Sequence, residues 1–264
     1  MRFSVLVIAA FLLFSCHKKE KYESVQLIGH AGAGLNSSTS PYTNNSQEAV
    51  NYAVSMEGIQ GVEIDVQCSA SQTMWLFHDE YLENATNGDG CLNDADDAYL
   101  DNLKYAGAGT EKPVRLKDLK FPYGERKLFL DVRSVNLCSG QVLNQQTVIQ
   151  AIETALEGKP YTEISVVTNY TPWVHAFFLK GWKVYLNVPT VSEYLNDPVM
   201  LETTGLCIRS AEISKDQVEE VKQEGKEVVI FEVRSPKGIR QALKKYPNYL
   251  MTDNLKAAII EKYP

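Results

Sequence analysis

Short apolar runs of the type found in β-strands alternate with helix-type segments along most of the chain. Eight runs of six to eight residues, rich in Val, Ile, Leu and aromatic residues, predict strands at 24–30, 61–67, 127–134, 163–169, 183–188, 205–210, 227–233 and 249–254. Helical periodicity predicts helices between them, at 46–58, 147–158, 191–197, 214–225 and 235–246. Strands that alternate with helices in this way predict an α/β fold, here a single-domain TIM-type (β/α)8 barrel.

The second predicted strand departs from the apolar pattern. In GVEIDVQ, Glu63 and Asp65 are two residues apart and therefore point to the same side of the strand. A short polar turn then leads to a second strand that ends in His78 and Asp79, which predicts a short β-hairpin after strand 2. Buried charge without a partner is costly, so the two carboxylates either lie on a solvated hairpin or converge on a cation.

Polar side chains gather at the carboxyl ends of the predicted strands, where barrels of this type carry their chemistry. In chain order these are His30, Glu63, Asp65, Asp131, Arg133, Asn169, Asn187, Arg209, Arg234 and Asp253. The other ends of the same strands have no comparable array. The pattern therefore predicts a site at one end of the barrel.

Three of these residues, Glu63, Asp65 and Asp131, predict a metal site. Carboxylates placed together repel one another unless a cation holds them, and hard oxygen ligands favour Mg²⁺ or Ca²⁺. His30 and His78 have the right chemistry for a general acid and a general base near neutral pH. The alternative is that the acids form solvated ion pairs and that each histidine is a hydrogen-bonded structural residue.

The N-terminal segment is set apart from the barrel. Residues 1–16 combine Arg2, an apolar run and a lipobox-like ending at Cys16, which predicts a bacterial signal peptide with lipidation at Cys16. Residues 17–24 are expected to form a flexible tether and 25–264 the barrel domain, giving an exported cell-envelope lipoprotein anchored to a membrane. The alternatives are cleavage nearby with a free Cys16 thiol, or an uncleaved anchor.

Charge and cysteine content exclude other classes of function. The chain has a net charge of −7 and no block of basic residues, so nucleic acid is not an expected partner. Four further cysteines, at positions 68, 91, 138 and 207, have no spacing suited to zinc. One or two disulfides are compatible with an exported protein, and the spacing does not specify which pairs form.

Several motifs together resemble the glycerophosphodiester phosphodiesterase family, which belongs to a superfamily of barrel phosphodiesterases. They are LIGHAGAG, NNSQEAV, GVEIDVQ, WLFHDE and TNGDG in the first third, with weaker likeness in LFLDVR and YLMTDN. The resemblance spans roughly 25–255 and implies a metal-dependent phosphoric diester hydrolase that acts on a small phosphodiester or lipid head group.

Carried over by position, the resemblance implies Glu63, Asp65 and Asp131 as metal ligands and His30 with His78 as the acid–base pair. Arg133 stands where the family has a phosphate-contacting Lys. Asn45 belongs to the family's Glu-Asn turn, and we expect it, like Arg133, at the substrate phosphate.

The chain also departs from the family pattern. Ala31 stands where the family has an Arg, Asn44 replaces a Glu, and Asp131 replaces a longer acid. Arg234, or less favourably Arg209, is expected to supply the charge that is missing at position 31; the alternative is that both form salt bridges at the rim.

Two other functions remain open from the sequence. One is a phospholipase of C or D type that acts on intact lipids, for which Tyr42, Tyr170 and Trp173 would form an apolar rim. The other is a catalytically weakened phosphodiester-binding lipoprotein.

Overall fold

A computed structural model of the chain describes residues 22–35, 38–107, 109–160 and 164–263. The predicted signal peptide, the lipidation site at Cys16 and residues 17–21 of the predicted tether lie outside these ranges. Tyr22 is buried against Tyr246, with 5.6 Å between the ring centroids, and its carbonyl accepts a hydrogen bond from the Val25 N–H. The packed part of the chain thus includes residues 22–24, which the sequence placed in the tether.

Ten strands, eight α-helices and six short 3₁₀-helices form the described structure. The strands are β1 (Gln26–Gly29), β2 (Gly61–Cys68), β3 (Met74–Leu76), β4 (Val114–Arg115), β5 (Lys127–Val132), β6 (Ser165–Thr168), β7 (Lys183–Asn187), β8 (Gly205–Arg209), β9 (Glu227–Val233) and β10 (Tyr249–Thr252). The helices are α1 (Gln47–Ser55), α2 (Asp97–Leu100), α3 (Gln145–Leu156), α4 (Val174–Leu179), α5 (Val191–Asn196), α6 (Lys215–Gln223), α7 (Pro236–Leu243) and α8 (Leu255–Lys262).

The predicted barrel is confirmed. Eight strands pair in parallel in the order β1, β2, β5, β6, β7, β8, β9 and β10, and β10 pairs with β1 to close the cylinder. The remaining two strands lie outside the closed ring, because β3 pairs antiparallel with the carboxyl end of β2 and β4 pairs antiparallel with β3. The β2–β3 pair is the predicted hairpin, and it leads directly to His78.

Two layers of apolar side chains hold the barrel together. Inside the cylinder, the side chains of Ile28, Phe129, Val167, Tyr185, Cys207, Val229, Tyr249 and Met251 form one buried cluster. A larger cluster fills the space between the sheet and the surrounding helices. Burial of this apolar surface is the main force that stabilises the closed fold, and it leaves the polar strand ends at one end of a rigid cylinder.

The segment after the hairpin has a small core of its own, built around Trp75 and Phe77. A disulfide between Cys91 and Cys138 fastens this segment to the loop that follows β5. Cys68 and Cys207 are free and buried. The disulfide therefore connects the part of the chain that carries His78 with the part that carries Asp131 and Arg133.

Candidate active site

The three predicted metal ligands converge. Asp65 of β2 and Asp131 of β5 are direct partners in the parallel register, and Glu63 lies one pleat earlier on the same side of β2. One carboxylate oxygen from each residue lies within 4.8 Å of the other two. Glu63 and Asp65 are buried, whereas the Asp131 side chain is 19% exposed and lines the cavity.

The electrostatics of this cluster suit a cation. Burial and the nearby charge of Asp65 raise the pKa of Glu63 to about 8, and burial also raises the pKa of Asp131. One Glu63 oxygen, Oε2, accepts a hydrogen bond of 2.8 Å from the Ala31 N–H, but the other, Oε1, is buried without a hydrogen-bond partner in the described structure. An unpaired buried carboxylate oxygen among three acids fits a hard divalent cation.

Arg133 lies directly beside two of the acids. Its guanidinium forms a short ion pair with Asp65, and its Nη1 lies 3.2 Å from Oδ2 of Asp131. Burial opposes the charge of Arg133, but the surrounding carboxylates outweigh that effect and raise its pKa. The guanidinium is therefore a fixed positive charge on the cavity wall, as expected for a group that contacts phosphate.

His30 is held by the last strand of the barrel. Its Nδ1 lies 2.8 Å from Oδ1 of Asp253, which follows β10, and its Nε2 lies 3.8 Å from Oε2 of Glu63. Burial lowers the pKa of His30, but the hydrogen bond with Asp253 and the charges of Glu63 and Asp65 outweigh it and raise the pKa to about 9. A carboxylate on Nδ1 leaves Nε2 as the nitrogen that faces the acids.

His78 reaches the same cavity from the hairpin side. Its Nδ1 lies 2.8 Å from Oδ1 of Asp79, and this hydrogen bond raises the pKa of His78. The buried amide of Gln67 donates to the carbonyls of Phe77 and Asp79, at 3.1 and 3.0 Å, and so holds the backbone on both sides of His78. Each histidine thus has a carboxylate partner on Nδ1.

Asn45 was predicted to contact the substrate phosphate, but its side chain does not line the cavity. Its side chain is fully buried, its Nδ2 donates to Asp65 Oδ2 and its Oδ1 accepts from the Asp65 N–H, both at 2.9 Å. With both ends of the amide bonded to Asp65, Asn45 orients that carboxylate and does not line the cavity. It adopts a left-handed conformation with φ +59°, which Asn tolerates better than most residues, just before Ser46 caps α1.

The cavity has a volume of about 680 Å³ and lies at the carboxyl ends of the strands. It brings together His30, His78, Asp65, Asp131 and Arg133 from four separate segments, and Arg234 lines it as well. Arg234 lies 3.5 Å from Asp253 Oδ2 with its side chain 60% exposed, whereas Arg209 pairs with Glu232 at 3.0 Å. A smaller cavity of about 180 Å³, near Phe121 and Leu128, contains none of the predicted site residues.

The three aromatic residues expected to form an apolar rim do not line the cavity. Trp173 is buried, and Tyr170 packs edge-on against it at 6.0 Å. Tyr42 is 38% exposed and packs against Tyr52 at 5.7 Å. In the described part of the chain, moreover, no helix has the length and apolar character needed to cross a bilayer.

Comparison with known proteins tests the predicted resemblance. The model of the glycerophosphoryl diester phosphodiesterase family matches residues 34–137, which include Asn45, Glu63, Asp65, His78 and Asp131. Residues 34–137 therefore resemble that family in sequence. The match confirms the predicted resemblance, and with it the enzyme class, phosphoric diester hydrolase. No curated protein sequence matches the chain.

Solved structures share the barrel. An Oleispira antarctica phosphodiesterase, solved with its product sn-glycerol-3-phosphate, is 21% identical with a TM-score of 0.71, covering 89% of this chain and 96% of that one. An Agrobacterium tumefaciens glycerophosphodiester phosphodiesterase is 14% identical with a TM-score of 0.70, covering 91% and 100%. One from Parabacteroides distasonis is 17% identical with a TM-score of 0.70, covering 90% and 97%. At these identities the likeness establishes the fold.

Proposed function

We propose that the chain is a divalent-cation-dependent hydrolase of glycerophosphodiesters or related head-group phosphodiesters, anchored to the cell envelope through Cys16. The family match supports the reaction class. The observation that carries the cation dependence is the convergence of Glu63, Asp65 and Asp131 beside an unpartnered Glu63 oxygen. These three residues would hold Ca²⁺ or Mg²⁺. When bound, such a cation supplies Lewis-acid polarisation of a phosphate oxygen.

The side chains around the cluster supply the other parts of the reaction. Arg133 donates hydrogen bonds to the phosphate and neutralises charge that develops on its oxygens. One histidine removes a proton from the nucleophile, which is water or a substrate hydroxyl next to the phosphate. The other histidine protonates the oxygen of the departing alcohol as the bond from phosphorus to that oxygen breaks. Asp253 and Asp79 keep each Nδ1 protonated, so that Nε2 of His30 and of His78 handles the proton.

Arg234 is proposed as a second phosphate-side cation. It lines the cavity on the side away from Arg133, and its contact with Asp253 is longer than a hydrogen bond. If this role is correct, R234A raises KM for a diester substrate. R240A is the matched control, since Arg240 forms an exposed ion pair with Glu261 outside the barrel.

The direct test is hydrolysis of a diester panel by the purified chain, before and after chelation. Chelation should abolish turnover, and either Ca²⁺ or Mg²⁺ should restore it. H30Q and H78Q should each lower kcat by about 10²- to 10⁴-fold, whereas H175Q should leave it unchanged. His175 is the matched control because it lies on the outside of α4 and pairs with Glu202 at 2.9 Å.

Other outcomes would contradict the proposal. A protein that binds the cation but hydrolyses no diester would be a phosphodiester-binding lipoprotein. Turnover confined to intact bilayer lipids would identify a phospholipase. Equal losses in H30Q, H78Q and H175Q would exclude the two site histidines as the acid–base pair.

A further inference from the structure

The cavity has two sides that come from opposite parts of the barrel. Around the ring of parallel strands, β8 lies across from β2 and β9 lies across from β5. The three acids are carried by β2 and β5, so the carboxyl ends of β8 and β9 form the facing side. A diester whose phosphate lies at the acids has room to extend across the cavity of about 680 Å³ to that side.

The facing side carries polar side chains that the proposed reaction does not use. They lie at or near the carboxyl ends of β7, β8 and β9, and all of them line the cavity: Asn187, Arg209, Glu212 and Glu232. We call these four residues the distal wall. Beside them, Phe231 packs on the apolar cluster inside the barrel, and its ring lies 6.2 Å from that of His30. The distal wall therefore begins next to one of the two site histidines.

A bulge in β9 places Glu232 at the cavity. Leu250 of β10 pairs with Ile230 and Thr252 pairs with Val233, so β9 has one extra residue in this interval. Glu232 has a φ of +62°, a conformation that costs energy for a residue other than Gly. Bulges of this kind re-aim a side chain beside a site. A strained residue that lines the cavity indicates a role for its carboxylate there.

The charges on this side of the cavity are balanced. Nε of Arg209 lies 3.0 Å from Oε2 of Glu232, and the two side chains are 64% and 50% exposed. Glu212 adds a second carboxylate, and Arg234, which follows β9, adds a second cation. The side that faces the acids therefore has no excess negative charge to attract a cationic head group.

The distal wall offers both donors and acceptors of hydrogen bonds. A guanidinium donates, a carboxylate accepts and the amide of Asn187 does both, which matches the hydroxyl group, itself a donor and an acceptor. Among the described residues that line the cavity, Phe231 is the only Phe, Tyr or Trp, so they form no aromatic cage for a quaternary ammonium group. One aromatic face beside several polar groups suits a polyhydroxylated ring.

We propose that the distal wall binds the head group of the diester and selects an uncharged, polyhydroxylated alcohol, such as a cyclitol or a sugar, over a cationic amino alcohol. Arg209 and Glu232 bind hydroxyl groups of the ring as a pair, and Phe231 packs against its C–H face. This inference rests on the proposed function and goes beyond it by naming the class of head group.

The experiment compares two diesters that share glycerol phosphate and differ in the head group, glycerophosphoinositol and glycerophosphocholine. Their affinities are measured by calorimetry with Ca²⁺ present, on the H30Q/H78Q protein, so that turnover does not consume them. Glycerophosphoinositol should bind about tenfold more tightly, the effect of a net gain in hydrogen bonds. R209Q leaves the Glu232 carboxylate unpaired and should shift the ratio of the two affinities about fivefold toward glycerophosphocholine.

Two further variants separate the carboxylate from the backbone at position 232. E232Q leaves Arg209 unpaired and should weaken the binding of glycerophosphocholine, because the two cations repel each other. E232G should do the same, since Gly accepts the positive φ but lacks the carboxylate. R240Q is the matched control, because Arg240 forms an ion pair with Glu261 outside the cavity, and it should leave both affinities unchanged.

Several outcomes would overturn the inference. Equal affinities for the two diesters, or tighter binding of glycerophosphocholine, would exclude the proposed selectivity. An equal loss for both diesters in R209Q would show that the distal wall binds the glycerol that they share. Hydrolysis of both diesters by the wild-type chain is measured separately. The expected preference in binding without any hydrolysis would support the distal wall as the head-group site and contradict the proposed hydrolase.

Discussion

Asn45 and Asp65 are joined by two reciprocal hydrogen bonds of 2.9 Å, one to the carboxylate of Asp65 and one from its backbone N–H. Both residues are buried. The turn before α1 thus determines how a predicted metal ligand on β2 is oriented. This relationship gives the amide at position 45 a structural role, although Asn45 does not face the cavity.

Replacing this amide should weaken both stability and cation binding. N45A leaves a buried carboxylate oxygen and a buried N–H without partners, so we expect a loss of about 2–3 kcal/mol in the free energy of unfolding. Cation affinity, measured by calorimetry, should fall as well. N45A also places an alanine at a positive φ. N45G separates this backbone strain from the loss of the amide, because Gly accepts the positive φ but lacks the amide.

The control for this prediction is N51A. Asn51 is exposed and bonds only to the Gln47 side chain among the contacts described for it. Cation affinity in N45A or N45G equal to that in N51A would show that Asp65 does not depend on Asn45.

The carboxylate of Asp253 should be essential for the orientation of His30. D253N retains the size of the side chain but removes the charge, so we expect kcat to fall by about 10²-fold with little change in KM. In the cation-free protein, the pKa of His30 should also fall from its raised value of about 9, because the amide that replaces Asp253 has no negative charge to strengthen the hydrogen bond to the protonated ring. Titration of the imidazole by NMR measures this shift. An unchanged pKa would contradict the assigned role.

The disulfide between Cys91 and Cys138 should contribute to stability. It closes a loop with a sequence separation of 47 residues, and loops of this size correspond to about 2–4 kcal/mol. C91S/C138S should lower the free energy of unfolding by that amount in urea denaturation. Wild type treated with reductant should match the variant, and the variant should not respond to reductant. If wild type and C91S/C138S still differ in the free energy of unfolding after reduction, the difference has a cause other than the disulfide.

Asp97 should make stability depend on pH. Burial raises the pKa of Asp97, but hydrogen bonds from Thr73, Trp75 and Ser69 outweigh it and lower the pKa. A depressed pKa in the folded state gives stability that is present above the unfolded value of about 4 and is lost as the pH falls through the folded value. D97N should therefore cost about 1–3 kcal/mol at pH 7, and the difference should shrink only below about pH 4.

Asp101 provides the control for Asp97. Arg115 lies 3.7 Å from Asp97 and also forms an ion pair with Asp101, but the side chain of Asp101 is 53% exposed. D101N should have a smaller effect on the urea midpoint at pH 7. A D97N effect that stays constant from pH 7 to pH 3 would exclude the carboxylate charge as its source.

The sequence was most informative where strands end in charged residues. Glu63, Asp65 and Asp131 could be predicted to converge because parallel neighbours place equivalent ends together. The eight barrel strands were likewise predictable, since their apolar runs are short and separated by helical periodicity. The helix over 255–262 was not predicted.

Other features depend on contacts between distant residues. The partnership of Asp253 with His30, the reciprocal bonds of Asn45, and the amide of Gln67 behind His78 have no local signature. An Asn just before a helix-capping Ser is a local signal for a left-handed turn. It does not indicate that Asp65 is the hydrogen-bond partner of this Asn. The sequence likewise did not predict that Cys91 pairs with Cys138, because the spacing of cysteines does not specify which of them form disulfides.

His30 and Asp253 stand 223 residues apart, on the first and last strands of the cylinder. A polypeptide that stops short of β10 would still contain the three acids of the cluster and both site histidines, yet His30 would lack its Asp253 partner. The proposed reaction therefore requires β10 to be in place and paired with β1.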